Sequence, residues 1–175
     1  KDLDDLNILY SGSKSEACRK TWNKGLTKKI LKANNINTPS FIELEKFDPE
    51  IVTSKLNDAS FDFFQSYDNF FLKPNEDGSS VDIFKIYNED SIKKAYKNCS
   101  NPNRSFLIEE FIDGREITVT VIGKDCFPPI EIITDNEFYD YDAKYISNET
   151  LHIEAKLNLG ELNDVKLISK KVFDV

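Results

Sequence analysis

Lysine, glycine and hydroxyl side chains stand close together in the run Lys73-Pro74-Asn75-Glu76-Asp77-Gly78-Ser79-Ser80-Val81. Those residue types can bind an anion. Glycine gives a loop access to positive φ and lets backbone approach a ligand closely. Successive backbone N–H groups and serine hydroxyls can form an anion-binding nest. A lysine just before them adds a compact positive charge. Taken alone, the run serves equally well as a polar hairpin between two strands. It is not a P-loop, which needs Gly-x-x-x-x-Gly-Lys-Ser/Thr opening a helix.

Two more segments could do chemistry. In the first, Phe106-Leu107-Ile108 leads into Glu109-Glu110, then Phe111-Ile112, then Asp113-Gly114-Arg115-Glu116. A strand leaving its sheet there would offer backbone groups to a planar base edge, and a later carboxylate can accept from ribose hydroxyls. By itself the segment reads more simply as a solvated acidic edge. The second, Phe138-Tyr139-Asp140-Tyr141-Asp142-Ala143-Lys144-Tyr145, is dense in aromatics and acids. It suits a closing lid, which needs apolar bulk to exclude water and a charge to complete the site. It suits an aromatic-rich edge strand equally. Lys20, Lys24, Lys28 and Lys29 read as the solvated face of a helix, and nothing local singles out Lys24.

Composition narrows the classes. The 175 residues carry 31 acidic and 23 basic side chains, a formal net charge of −8. A general nucleic-acid binder carries a basic surplus, so that class is disfavoured. No run approaches the ~20 apolar residues of a membrane span. The charged start, Lys1 to Asp5, does not read as an apolar signal peptide. No Met occurs, which sets the expectation that the natural start is missing. Cys18, Cys99 and Cys126 are widely spaced and odd in number, which argues for reduced thiols rather than a disulfide framework or zinc site. His152 is the one histidine. A Ser-His-Asp triad or a histidine metal site has little to draw on.

The elements that must position these residues form a mixed pattern. Residues 15–34 read as one helix with Ser15 as cap. Asp48-Pro49-Glu50 starts another, carrying Ile51 to Leu56. Strands are expected at Phe70–Lys73 and Val81–Tyr87, then a helix from Asn88 to Asn98, then a strand at Phe106–Glu110. Glu116–Ile122, a turn at Gly123-Lys124-Asp125 and Phe127–Ile133 read as a hairpin, with Pro128-Pro129 favouring an edge position or an irregular start for the second strand. A strand at Leu151–Ala155 and a helix from Glu161 follow. The order is α+β rather than a regular βαβ repeat. Asp113-Gly114 divides a mixed unit, 1–113, from a mainly strand unit, 114–175, with the lid near 134–150.

In this order and at these intervals the segments resemble the D-alanine–D-alanine ligases of the ATP-grasp superfamily. The resemblance rests on Asn23-Lys24 with Thr27-Lys28-Lys29, on Lys73-Pro74 to Val81, on Leu107 to Glu116, and on Phe138 to Tyr145 continuing through Ser147-Asn148-Glu149-Thr150. It covers nearly the whole chain. It implies an ATP-grasp fold, here the central domain and the first half of the carboxy-terminal one. It further implies that Lys24 and Lys73 grip nucleotide phosphates. Ser79 and Ser80 would lie on a phosphate-covering loop, Ser79 also orienting the amino-acid substrate. Glu109, Glu110, Phe111 and Ile112 would line the adenine edge, Glu116 would bind ribose, and Phe138 would pack on adenine. Lys144 would face the γ-phosphate, and Tyr145 would share a hydrogen-bond network with Ser79. Ser79, Lys144 and Tyr145 are the implied catalytic residues.

The implied reaction joins two D-alanines at the expense of ATP, through an acyl phosphate, for peptidoglycan precursors in the cytoplasm. A homodimeric parent, with no nucleic-acid or membrane partner, goes with it. Relatives that join D-alanine to D-lactate or D-serine share these motifs. Another ATP-grasp ligase and a non-catalytic nucleotide-binding scaffold are the other readings. The resemblance implies that an amino-terminal domain precedes Lys1 and that Mg²⁺ ligands follow Val175, so this chain alone is expected to be inactive and to hold no metal. The chain departs from the pattern at Asp82, where the family has glycine; an anion there would weaken phosphate binding unless it points away.

Overall fold

The computed structural model describes residues 2–58, 69–135, 144, 146 and 149–175. Phe138 and Tyr145, and most of the aromatic lid segment, lie outside the described residues. The chain resolves into two compact units. The first comprises Lys1–Ile30, Pro39–Asp77 and Asp82–Phe111; the second comprises Leu31–Thr38, Gly78–Val81 and Ile112–Val175.

The first unit opens with a short helix α1, Asp2–Asp5, then α2, Ser15–Trp22, and α3, Lys24–Ala33. The single helix expected over 15–34 is thus two. Asn23 breaks it: its backbone is extended, and its side-chain Oδ1 accepts from Leu26 N at 2.8 Å, capping the start of α3. Ser15 is not a cap either. It is the first helical residue, its N–H donating to the Asp4 carboxylate.

Strand β1, Phe41–Leu44, was not expected; four residues next to Pro39 and Glu45 carry too little alternation to announce a strand. Helix α4, Pro49–Leu56, starts as its sequence dictates, with Asp48 accepting from Glu50 N and proline in the first turn. Strands β2, Phe70–Pro74, and β3, Phe84–Ile86, follow. Helix α5, Glu89–Asn98, has an Asn88–Ser91 capping box. Strand β4, Phe106–Glu110, completes the unit. The sheet runs β1-β4-β2-β3, antiparallel throughout.

Strand alternation sorts this sheet's side chains to two faces. On one face Ile42, Leu44, Phe70, Leu72, Phe106 and Ile108 join Phe47, Val52, Ile92 and Ala95 in a buried apolar core. Full burial of one such side chain contributes roughly 1.5–3 kcal/mol. The other face carries Phe41, Phe71, Lys73, Leu107 and Glu109. The same period of two that builds the core therefore turns Lys73 and Glu109 to one shared side.

In the second unit, β5, Glu116–Thr118, pairs with β8, Ile130–Ile133, which pairs with β9, Leu151–Glu154. The expected hairpin is present but interrupted. Strands β6, Val121–Ile122, and β7, Asp125–Cys126, form a separate ladder around Gly123, which takes φ +60°. Pro128 and Pro129 cannot donate ladder hydrogen bonds, so the return strand restarts only at Ile130. Helix α6, Leu159–Asp174, begins before Glu161 because Asn158 and Glu161 form a reciprocal capping box. Among the described residues no helix is long and apolar enough to cross a membrane.

Candidate functional site

In the first unit the site is built around the end of β2. Asn75, directly after the strand, is buried. Its Oδ1 accepts from Gly25 N at 2.7 Å, its carbonyl accepts from Lys24 N at 2.9 Å, and its own N–H donates to Ser105 O at 2.9 Å. One side chain thus docks the first turn of α3 against the strand end. Gly25 permits this approach: a Cβ there would meet the Glu43 carboxylate at 2.2 Å and Asn75 Oδ1 at 3.2 Å. Sequence reasoning missed both Asn75 and Gly25, whose roles are set by contacts fifty residues away in the chain.

Docking α3 in this way fixes Lys24. Its Nζ donates to the carbonyls of Pro74 at 2.9 Å and Asp77 at 2.8 Å. Burial, followed by the nearby Lys73 charge, lowers its pKa from 10.5 to about 8. Lys73 ion-pairs with Glu109 across the sheet. Register explains the meeting: Lys73 lies opposite Leu107, so Glu109 is its diagonal neighbour on the same face. The second oxygen of Glu109 receives Lys28 Nζ at 2.7 Å. Lys28 also donates to Pro39 O at 2.9 Å and lies 5.2 Å from the centre of the Phe41 ring.

Two sequence readings are corrected here. Lys28 does not belong to a solvated face; it is 6 % exposed. Glu109 and Glu110 are not a solvated acidic edge. Glu109 is buried between two lysines, and Glu110 accepts from Ser40 N at 2.9 Å. The signal for Lys28 was present in its spacing, four residues after Lys24 and so on the same helix face.

After Glu110 the strand ends. The Phe111 ring packs on Phe71 at 5.5 Å, with Lys85 Nζ 4.4 Å from its centre. Ile112 and Glu116 are exposed, Glu116 at the start of β5.

The loop after Asn75 differs from its sequence reading in two respects. Residue type makes Gly78 the expected positive-φ position. The left-handed residues are instead Asp77 at +99°, Ser79 at +57°, Ser80 at +58° and Asp82 at +56°. Left-handed backbone costs a residue with a Cβ roughly 1–2 kcal/mol. This loop is therefore held against its local preference. The turn also consumes Val81 to Ile83, which is why the strand expected from Val81 begins only at Phe84.

Asp82 is engaged by its neighbours. Its carboxylate pairs with Arg104 and accepts from Ser100 N at 3.0 Å and from the Ser100 hydroxyl. Within the second unit, Lys144 Nζ donates to the Ser80 hydroxyl. The structure thus groups Lys24, Lys73 and Glu109 in one unit, and Ser80 and Lys144 in the other. The three cysteines are free thiols. Among the described residues no group of three or more His, Cys, Asp or Glu could hold a metal ion. A surface hollow of about 450 Å³ beside Trp22, Leu26 and Glu76 is lined by none of the predicted site residues.

Residues 30–175 match the family described as D-ala D-ala ligase C-terminus. D-alanine--D-alanine ligase B from Clostridium perfringens is 35% identical over 173 residues, covering 99% of this chain and 55% of that protein. The crystal structure of D-alanine--D-alanine ligase from Bacillus anthracis is similar with a TM-score of 0.75 at 29% identity, over 99% of this chain and 54% of that one. The structure of the B. anthracis ligase complexed with ATP gives a TM-score of 0.72 at 26% identity, over 99% of this chain and 52% of that one. The chain spans about half the length of the curated relatives it matches.

Proposed function

The chain belongs to the D-alanine–D-alanine ligase family, with an α+β, ATP-grasp fold, and on that premise we propose that it is the nucleotide-binding part of an ATP-dependent ligase that joins two D-alanines. The observation that carries the proposal is the lysine arrangement at the end of β2. Lys24 and Lys73 stand close enough for the charge of one to lower the pKa of the other, and Lys24 is presented by two loop carbonyls. Glu109 offsets only part of this repulsion, and a bound polyphosphate offsets more. Two opposite unit charges about 4 Å apart attract by ~4 kcal/mol at an effective dielectric of 20.

When bound, ATP supplies the phosphoryl group that activates a carboxylate. The chain's own residues bind and orient it. Lys24 and Lys73 hold phosphate oxygens. Glu109 pairs with Lys73 and Lys28 and sets their direction. The Ser79 and Ser80 hydroxyls serve as donors, and Ser79 faces the amino-acid substrate. Lys144, bonded to the Ser80 hydroxyl, brings a positive charge to the serine loop. The backbone of Glu109, Glu110, Phe111 and Ile112 meets the adenine edge, and Glu116 accepts from ribose. Phe138 packs on adenine, and Tyr145 completes the hydrogen bonds around Ser79. Phosphoryl transfer depends on positioning and positive charge more than on covalent chemistry from the protein, which suits this residue set.

The proposal assigns residues 1–113 to the central ATP-grasp subdomain and 114–175 to the start of the carboxy-terminal one. A cytoplasmic homodimer using Mg²⁺ is part of it. Among the described residues no cluster of His, Cys, Asp or Glu fits a divalent-cation site. The test is phosphate release by the whole protein against a panel of D-amino acids and D-hydroxy acids. Release with D-alanine, yielding D-alanyl-D-alanine, is expected. Release only with D-lactate or D-serine as second substrate would move the assignment to those ligases, and no ATP turnover with any acid would refute it.

A further inference from the structure

Arg104 lies in the connection between α5 and β4 and was singled out by no motif. Its guanidinium makes two separate ion pairs, Nη1 with Asp77 and Nη2 with Asp82. These two aspartates are the residues immediately before and after the segment Gly78-Ser79-Ser80-Val81. The planar fork of arginine can reach two carboxylates at once, which a lysine point charge cannot match. The Asp82 side chain is only 6 % exposed and is pinned further by Ser100. The guanidinium carbon stands 5.7 Å from the centre of the Phe106 ring, a residue of the core. The anchor is therefore attached to the buried core of the first unit.

What the anchor holds is strained. Asp77, Ser79, Ser80 and Asp82 all have positive φ, and none is glycine. Such conformations persist only where the surroundings over-determine them. The two ends of this segment are fixed by one cation. That cation also offsets two carboxylates that would otherwise repel an incoming polyphosphate.

We propose that Arg104 is a positioning residue: it ties Asp77 to Asp82, holds the intervening serine loop in its left-handed form, and cancels carboxylate charge beside a polyphosphate site. The charge-cancelling half rests on the nucleotide-binding reading; the loop-holding half does not. Asp82, the departure from the family pattern, is then half of a device of this chain rather than a defect in it.

The test uses the whole protein with Arg104→Gln, Arg104→Lys and the double variant Arg104→Gln/Asp82→Asn. Amide hydrogen exchange across residues 77–82 is measured without nucleotide, and ATP affinity by calorimetry. Arg104→Gln should speed exchange in that segment about ten-fold or more while leaving β2 and β4 amides unchanged. It should weaken ATP by about ten-fold or more. Arg104→Lys should recover less than half of either effect. The double variant should regain part of the ATP affinity, because a charge is removed again, while its loop still exchanges fast. Unchanged exchange at 77–82 in Arg104→Gln overturns the loop-holding role whether or not ATP binds. Fast exchange with unchanged ATP affinity overturns the charge-cancelling role. A wild-type protein that binds no ATP overturns the nucleotide reading and leaves exchange to decide the clasp. Should Arg104→Gln not fold, Asp77→Asn removes one arm at a 41 % exposed side chain and is read by the same exchange criterion.

Discussion

Lys28 and Glu109 form an ion pair at 2.7 Å, with side chains only 7 % and 10 % exposed, on the sheet face opposite the apolar core. Lys73 shares the same carboxylate. One buried anion therefore organises two cations, and the balance makes an asymmetric prediction. Removing one partner of a buried pair costs about 3–5 kcal/mol, because the other charge is left in a poor environment. Lys28→Ala should fall at or below the lower end, since Lys73 still serves Glu109. Glu109→Ala should cost more, since two ammonium groups lose their partner. Urea denaturation of both variants checks this, and equal losses would show that the two lysines do not depend on one carboxylate.

The lowered pKa of Lys24 gives a pH dependence. Its folded value, about 8, lies below the unfolded value near 10.4, so the folded state binds fewer protons in that window. Its contribution to stability is unfavourable below about pH 8 and is relieved as pH rises toward 10. Phosphate binding needs the charged form. ATP affinity should accordingly fall as pH rises from about 7 to 9.5, and ATP binding should take up protons there. Lys24→Arg, which stays charged, should flatten the profile. Identical profiles by calorimetry in both proteins would rule out Lys24 as the titrating phosphate ligand.

Asn75 should be the most sensitive uncharged residue near the site. Asn75→Ala leaves Gly25 N without its acceptor, and an unsatisfied buried donor costs about 1–3 kcal/mol. Asn75→Asp keeps the acceptor and should lose less. Thermal denaturation ranks the two variants, and an alanine variant as stable as wild type would mean that water replaces the side chain.

Lys73→Ala and Lys144→Ala should each lower kcat/KM of the whole protein by about ten-fold or more, equivalent to at least ~1.4 kcal/mol of transition-state stabilisation. The two should differ in stability. Lys73 is part of the Glu109 pair inside the first unit, whereas Lys144 bonds a serine hydroxyl in a loop. Steady-state kinetics beside urea denaturation separate these effects, and wild-type kinetics in both variants would remove the phosphate assignment.

Much of the fold was legible because local chemistry and tertiary structure agree. Asp48-Pro49-Glu50 and Asn88 start helices where short-range capping says they must. Strands β2 and β4 show as β-rich apolar runs. Misreadings fell where a distant contact overrules local preference. Asn23 interrupts a helical pattern because it caps α3 and its amide reaches Glu76. Ser79 and Ser80 take the positive φ that Gly78 was expected to take.

The sequence by itself determined the chemistry on offer: lysines beside a serine-rich loop, acidic residues after an apolar strand, and the order of segments that marks the family. Those are properties of residue type and spacing, and they survive without coordinates. Tertiary structure alone decided which charges meet. Pairing β4 with β2 set Glu109 diagonal to Lys73, docking α3 on Asn75 brought Lys24 and Lys28 to the same face, and the α5–β4 connection delivered Arg104 to both ends of the loop. Register and helix docking are long-range outcomes of core packing. No local pattern encodes them.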